Sequence, residues 1–189
     1  MKKEQVTSLA VFCGLVALAV SVRLISETPN FNAVTAAALF AGFYFQRRLT
    51  AVCVPLAAMT ISDMFLGGYD KYVMAAVYGS LLVPIAWRSM LRSGLTPSRV
   101  GLGAVSSSVA FYVLTNGAVW YAWYPHTTDA LARCYTIALP FFANSLASDA
   151  LFAAGLFGLY ALSRAVGGST LAGKAIEGQR QISLAGASG

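Results

Sequence analysis

The basic residues of this chain fall almost entirely into alternate gaps between long apolar stretches, and no other feature restricts its fold so strongly. Six such stretches are visible, at about 6–25, 31–46, 49–67, 72–91, 100–123 and 135–163. Lys2, Lys3, Arg47, Arg48, Arg88, Arg92, Arg99, Arg164, Lys174 and Arg180 share one set of gaps, and only Arg23, Lys71 and Arg133 occupy the other. Ten of 13 cations on one side is the bias that cytoplasmic loops show in membrane proteins. The sequence therefore predicts an all-α membrane protein: six transmembrane helices in one bundle over residues 1–165, with both termini cytoplasmic. The Gly-, Ser- and Ala-rich remainder, 166–189, reads as a flexible cytoplasmic tail.

Composition agrees. The 189 residues are 58% hydrophobic and 11% charged, against roughly 25% charged in soluble domains. The net charge of +6 follows from topology and lipid headgroups, so no nucleic-acid partner is implied. The apolar run after Lys2 and Lys3 continues to Val22 and reads as an uncleaved first helix. Cys13, Cys53 and Cys134 have no metal or redox spacing, and His126 has no second ligand near it in sequence, so no metal is expected. Nothing resembles a nucleophile–base pair, a phosphate loop or a cofactor motif, and the chain reads as a non-enzyme without a cofactor.

Local signals mark several helix ends. Asn30 stands at the expected N-cap of a short second helix, Gly67-Gly68 at the C-cap of the third, and Pro84 at a kink in the fourth. Trp120, Trp123, Tyr124, Tyr69 and Tyr72 gather at the side opposite most of the cations, as interfacial aromatics do. A short echo, Pro55 to Asp63 against Pro140 to Asp149, hints at an inverted repeat.

Polar side chains within the apolar stretches point to a function. An aspartate at a helix centre costs about 2.5–3.5 kcal/mol on insertion scales, so it faces the bundle interior. Asp63, Asn116, Asn144 and Asp149 are such groups, and all but Asp149 fall in the half away from the cations. Ser148 joins Asn144 on one helix face, Asn116 shares a face with Trp120, and Arg23, Asn32 and Tyr124 add polar atoms at that end. These nine residues outline a pocket open to the outside that would bind a small, partly aromatic or cofactor-like solute. The structural alternative is that the same groups hold the helices together through hydrogen bonds. Ala33, Ala37 and Ala41, with Ala10 and Gly14, form small-residue stripes of the kind that lets helices approach closely, either within the bundle or against a partner subunit.

A six-helix chain with both ends inside and an outward pocket resembles the S components of energy-coupling-factor vitamin transporters. Several stretches are more closely similar to an uncharacterised S-component-like family of bacterial membrane proteins: Asn30-Phe31-Asn32-Ala33-Val34, Pro55-Leu56-Ala57 through Ser62-Asp63, Leu114-Thr115-Asn116 with Trp120, Tyr124-Pro125, Cys134-Tyr135, Pro140-Phe141-Phe142 and Asp149. The resemblance implies a substrate-capture subunit in the bacterial inner membrane that takes up a vitamin-like solute. It also implies a membrane partner with a separate ATPase module, docked on an Ala-xxx-Ala stripe such as Ala33, Ala37 and Ala41. In S components that stripe usually lies in the first helix. An accessory subunit without its own substrate, and a self-contained proton-coupled carrier using Asp149, are the competing expectations.

Overall fold

The computed structural model describes the backbone of residues 3–186 and the side chains of residues 4–166. Among the described residues eight helices follow in order: α1 (Lys3–Ile25), α2 (Val34–Tyr44), α3 (Arg48–Leu66), α4 (Lys71–Ser80), α5 (Val83–Ala86), α6 (Arg88–Arg92), α7 (Pro97–Trp123) and α8 (Thr128–Gly186). There is no strand among the described residues. Five spans are long and apolar enough to cross a membrane: Glu4–Ile25, Arg48–Leu66, Lys71–Arg92, Pro97–Trp123 and Thr128–Val166. The first of these packs only 11% of its most apolar window inside the protein. Leu9, Ile25, Leu49, Met64 and Leu162 stand exposed, a pattern suited to lipid as solvent. The molecule is an all-helical bundle of membrane type.

α2 is the hub. It packs on α1, α3, α5, α6, α7 and α8, and every residue from Val34 to Gly42 is buried. Its 11 residues make roughly 16 Å of helix, about half a hydrocarbon core. A helix that short is tolerated because protein, not lipid, surrounds it. Ala33, Ala37 and Ala41 are each 0% exposed. The stripe therefore serves close packing inside the bundle and is not open to a partner. Ala10 and Gly14 do lie on the surface, with open space beyond the Gly14 Cα.

The fourth apolar stretch is broken into three pieces rather than merely kinked. Pro84 has no N–H to give and its ring excludes a continuous helix past Ser80. The chain tightens instead through Leu82 N–H to Gly79 O at 3.1 Å and Ile85 N–H to Leu82 O at 3.2 Å. The break drives α5 onto α2 where Gly42 leaves room: a Cβ on Gly42 would meet the Ile85 Cα at 3.1 Å.

Arginines bind the end of α2. Arg88 donates to Phe45 O and Gln46 O at 2.7 and 2.5 Å. Arg92 donates to Phe43 O at 2.8 Å, Tyr44 O at 3.3 Å, Phe45 O at 2.8 Å and Gln46 Oε1 at 3.0 Å. The last carbonyls of a helix have no partners of their own and carry its negative dipole end, so two guanidinium groups there satisfy both demands. Arg99 likewise closes α6, donating to Gly94 O at 2.9 Å. These cations, which the sequence reading used only as topology markers, also staple the arginine-rich end together.

At the opposite end, Thr28 to Phe31 makes a tight turn, closed by Phe31 N–H to Thr28 O at 3.1 Å. Pro29 and Asn30 are its central pair, and Asn30 takes φ 60°, the left-handed geometry that asparagine tolerates at the second central position. Asn30 is thus not the cap of α2. The N-cap position falls on Ala33, and Asn32 just before it accepts from Val34 N–H at 3.0 Å. Gly67 closes α3 at φ 88°, donating to Asp63 O at 2.9 Å.

α8 begins at Thr128, seven residues before the expected 135. It meets the Pro29–Asn30 turn through Asn144 and Ser145, so roughly 24 Å of α8 from Thr128 to Asn144 stands beyond that turn. α7 accompanies it, and α4 packs on α7. The tail expectation for 166–189 falls outside the described side chains, which end at Val166.

Candidate functional site

Two adjoining cavities lie beneath and beside the Pro29–Asn30 turn. The inner one, about 240 Å³, is lined by Arg23, Asn32, Thr35, Tyr69 and Asp149 among others; the second, about 290 Å³, lies among α4, α7 and α8. Asn30, Val77, Phe111 and Ser145 belong to the walls of both, so they form one continuous region with a polar compartment and an aromatic one.

In the polar compartment, Asp149 is 3% exposed. Ser108 Oγ donates to its Oδ2 at 2.6 Å, and the Thr35 hydroxyl is a second partner. Elements that the sequence places far apart meet here: α2 through Thr35, α7 through Ser108 and α8 through Asp149. On the other side Arg23 pairs with Asp63 at 2.6 Å and also donates to Ser62 Oγ. Tyr78 donates to the remaining Asp63 oxygen at 2.8 Å. Hydrogen bonds from neighbours help to hold a buried ion pair, and each member here has a further partner, Ser62 for Arg23 and Tyr78 for Asp63.

Tyr69, in the α3–α4 connection, lines the same compartment. Its hydroxyl is buried without a hydrogen-bond partner among the described residues. Burial, and next the negative Asp63 nearby, push its pKa up to about 12. The hydroxyl therefore stays a neutral donor through the whole physiological range and is open to an acceptor that the described residues do not supply.

The aromatic compartment has Phe111, Tyr112, Phe141, Phe142 and Tyr124 in its wall, with Asn30, Thr115, Asn116 and Ser145 among its polar members. Tyr112 and Phe142 stand 4.8 Å apart between ring centroids, and the Tyr112 hydroxyl donates to Tyr135 O at 2.7 Å. Cys134, also in the wall, lies 3.6 Å from Asn116 O. Toward the arginine-rich end, α2 and α8 meet through packed rings, with Phe40–Phe157 at 5.2 Å and Phe43–Tyr160 at 5.1 Å.

Of the nine expected binding residues, Asn116 and Tyr124 line the aromatic compartment and Arg23, Asn32 and Asp149 the polar one. The other four do not line either. Asp63 sits behind Arg23 as its counter-ion. Ser148 is turned into its own helix, donating to Ser145 O at 3.0 Å. Trp120 packs on His126 with ring centroids 5.2 Å apart, its Nε1 buried and unpartnered. Asn144 donates to Pro29 O at 3.0 Å, and Ser145 beside it reaches Asn30 O at 3.4 Å. The two fasten the turn over the cavities. Asn116 hydrogen-bonds to neither Asn144 nor Asp149. The Asn116 amide bonds to Tyr112 O at 2.8 Å, one turn back along α7; a helix carbonyl at i−4 is the nearest acceptor for a short amide.

Thr35 and Ser108 were not among the expected site residues, and Tyr69 was expected only as an interfacial aromatic. Ser108 was visible within the run Ser106 to Ser108, but nothing in sequence tells which of three serines faces a carboxylate on another helix.

Residues 3–170 match the family model of DUF6580, a family of unknown function. The chain belongs to DUF6580. No curated protein and no solved structure matches it. Membership covers the whole helical bundle up to the end of the described side chains, so the two compartments and the turn above them all lie within the DUF6580 region.

Proposed function

We propose that this DUF6580 protein is a solute-capture subunit of a membrane transporter. Six spans would place the arginine-rich end in the cytoplasm, as the positive-inside bias requires, and the paired compartments toward the outside of a bacterial inner membrane. The observation that carries this reading is the joined polar and aromatic cavity, with an unsatisfied Tyr69 donor in its wall. Its two parts together fall in the size range of small-molecule sites, which combine an apolar lining with a few fixed polar groups. Packed rings below and a fastened turn above suit a compartment that holds a solute while a separate ATPase-bearing partner supplies energy. A vitamin- or cofactor-like solute, as in S components, fits the aromatic lining.

Native mass spectrometry of protein purified from its own membranes tests this. A small molecule bound at unit stoichiometry is expected; bare protein in repeated independent preparations counts against capture.

A second reading, an accessory subunit of a larger complex, has one observation in its favour. An apolar groove of about 420 Å³ runs between α7 and α8 past Gly101, Ala104, Ala150, Ala154 and Gly158, and small residues are what close helix docking in membranes uses. That reading expects a stoichiometric membrane partner after gentle solubilisation and no bound metabolite.

A further inference from the structure

We infer that the solute is an organic cation, with its positive group against Asp149 and an apolar or aromatic body in the neighbouring compartment. This rests on the capture reading and names its substrate class. The charges lining the polar compartment do not cancel. Arg23 is neutralised by Asp63 at 2.6 Å, a carboxylate set behind it. Asp149 has hydroxyl partners, Ser108 and Thr35, and no ion pair with it is formed among the described residues. Hydroxyls orient a carboxylate but do not neutralise it. A buried acidic group without a counter-ion either holds a proton or takes a cation from outside the chain, and its place in the wall of a cavity leaves room for the cation.

The second half of the inference comes from the adjoining wall. Phe111 contributes to both compartments, and Tyr112, Phe141 and Phe142 continue the surface beyond it. Aromatic faces attract cations and pack apolar bodies. A lone metal cation would use Asp149 and leave that lining unfilled; an organic ammonium uses both.

The test uses the intact protein in detergent or nanodiscs, with thermal unfolding as the readout. The probes are 2-phenylethylammonium, its neutral counterpart 2-phenylethanol, its anionic counterpart 3-phenylpropionate, and sodium chloride at constant ionic strength. Saturable stabilisation by the ammonium alone is expected, weakened at least about tenfold in Asp149→Asn, since removing one member of a buried charge pair costs that or more. The ranking of the probes on the wild-type protein decides the matter even if Asp149→Asn does not fold. Equal effects from the alcohol, a stronger effect from the anion, saturation by sodium alone, or no effect of the ammonium overturns the cation assignment. The capture reading has its own separate outcome: a neutral or anionic metabolite found by native mass spectrometry would keep capture and discard the cation.

Discussion

Asn116 and Asn144 carry the same amide into the same bundle and should respond oppositely to its removal. The Asn116 amide bonds to its own helix and the residue lines a cavity, so Asn116→Leu should change unfolding free energy by less than about 0.5 kcal/mol while weakening solute retention. Asn144 ties α8 to Pro29 O. Asn144→Leu should lower stability by about 0.5–1.5 kcal/mol, the net worth of an ordinary hydrogen bond. Thermal unfolding paired with ligand retention separates the two; equal loss of stability in both variants contradicts the assigned roles. The Arg23–Asp63 pair makes a further residue-scale prediction. Its side chains are 18% and 8% exposed, so Asp63→Asn should cost about 1–3 kcal/mol by leaving Arg23 unpaired. The double variant Arg23→Met, Asp63→Leu should recover part of that loss. Additive losses would show that the pair is not coupled.

At the scale of elements, the broken fourth stretch and the buried α2 depend on each other. α5 reaches α2 because Pro84 ends the helix before it and Gly42 has no side chain, while Gly103 leaves space for Leu39 in the same way, a Cβ there falling 3.1 Å from Leu39 Cδ1. Gly42→Ala should therefore destabilise by about 1–3 kcal/mol through backbone displacement. Gly101→Ala, with nothing within 4 Å, should be neutral or gain up to about 1 kcal/mol from helix propensity. A Gly42→Ala protein as stable as the wild type would show that α5 is loosely held. Helix positions were legible in the sequence because apolar length and Gly/Pro punctuation are local. The interior placement of α2 was not. A stripe of Ala33, Ala37 and Ala41 looks the same whether it meets another helix of the chain or a partner, and only the surrounding helices decide. The same limit hid Ser108 and Thr35, whose value lies in a carboxylate on α8, while Arg23 and Asp149 were visible because a charge inside an apolar stretch needs a reason wherever it lies.

For the whole molecule, the topology sets which end faces which solution. Exposed residues in the α7–α8 connection and the α2–α3 turn, such as His126 and Arg47, give a direct check in a background lacking Cys13, Cys53 and Cys134. Cysteine at 126 should react with a membrane-impermeant maleimide in intact cells, and cysteine at 47 only after permeabilisation. The reverse pattern would turn the cavities toward the cytoplasm and remove uptake from consideration. Liposomes containing this protein alone should show no solute flux, since α2 and α8 pack their rings together toward the arginine-rich end; flux without ATP would favour a self-contained carrier instead.

The most direct measurement asks whether the joined compartments hold the solute. Ala138 is 6% exposed and lines the aromatic compartment, so Ala138→Phe fills empty space without removing a hydrogen bond. Native mass spectra of the wild-type protein and Ala138→Phe, prepared in parallel and matched for unfolding temperature, should show a bound small molecule in the first and none in the second. Equal occupancy in both, or an empty wild-type protein, would contradict solute capture at this site.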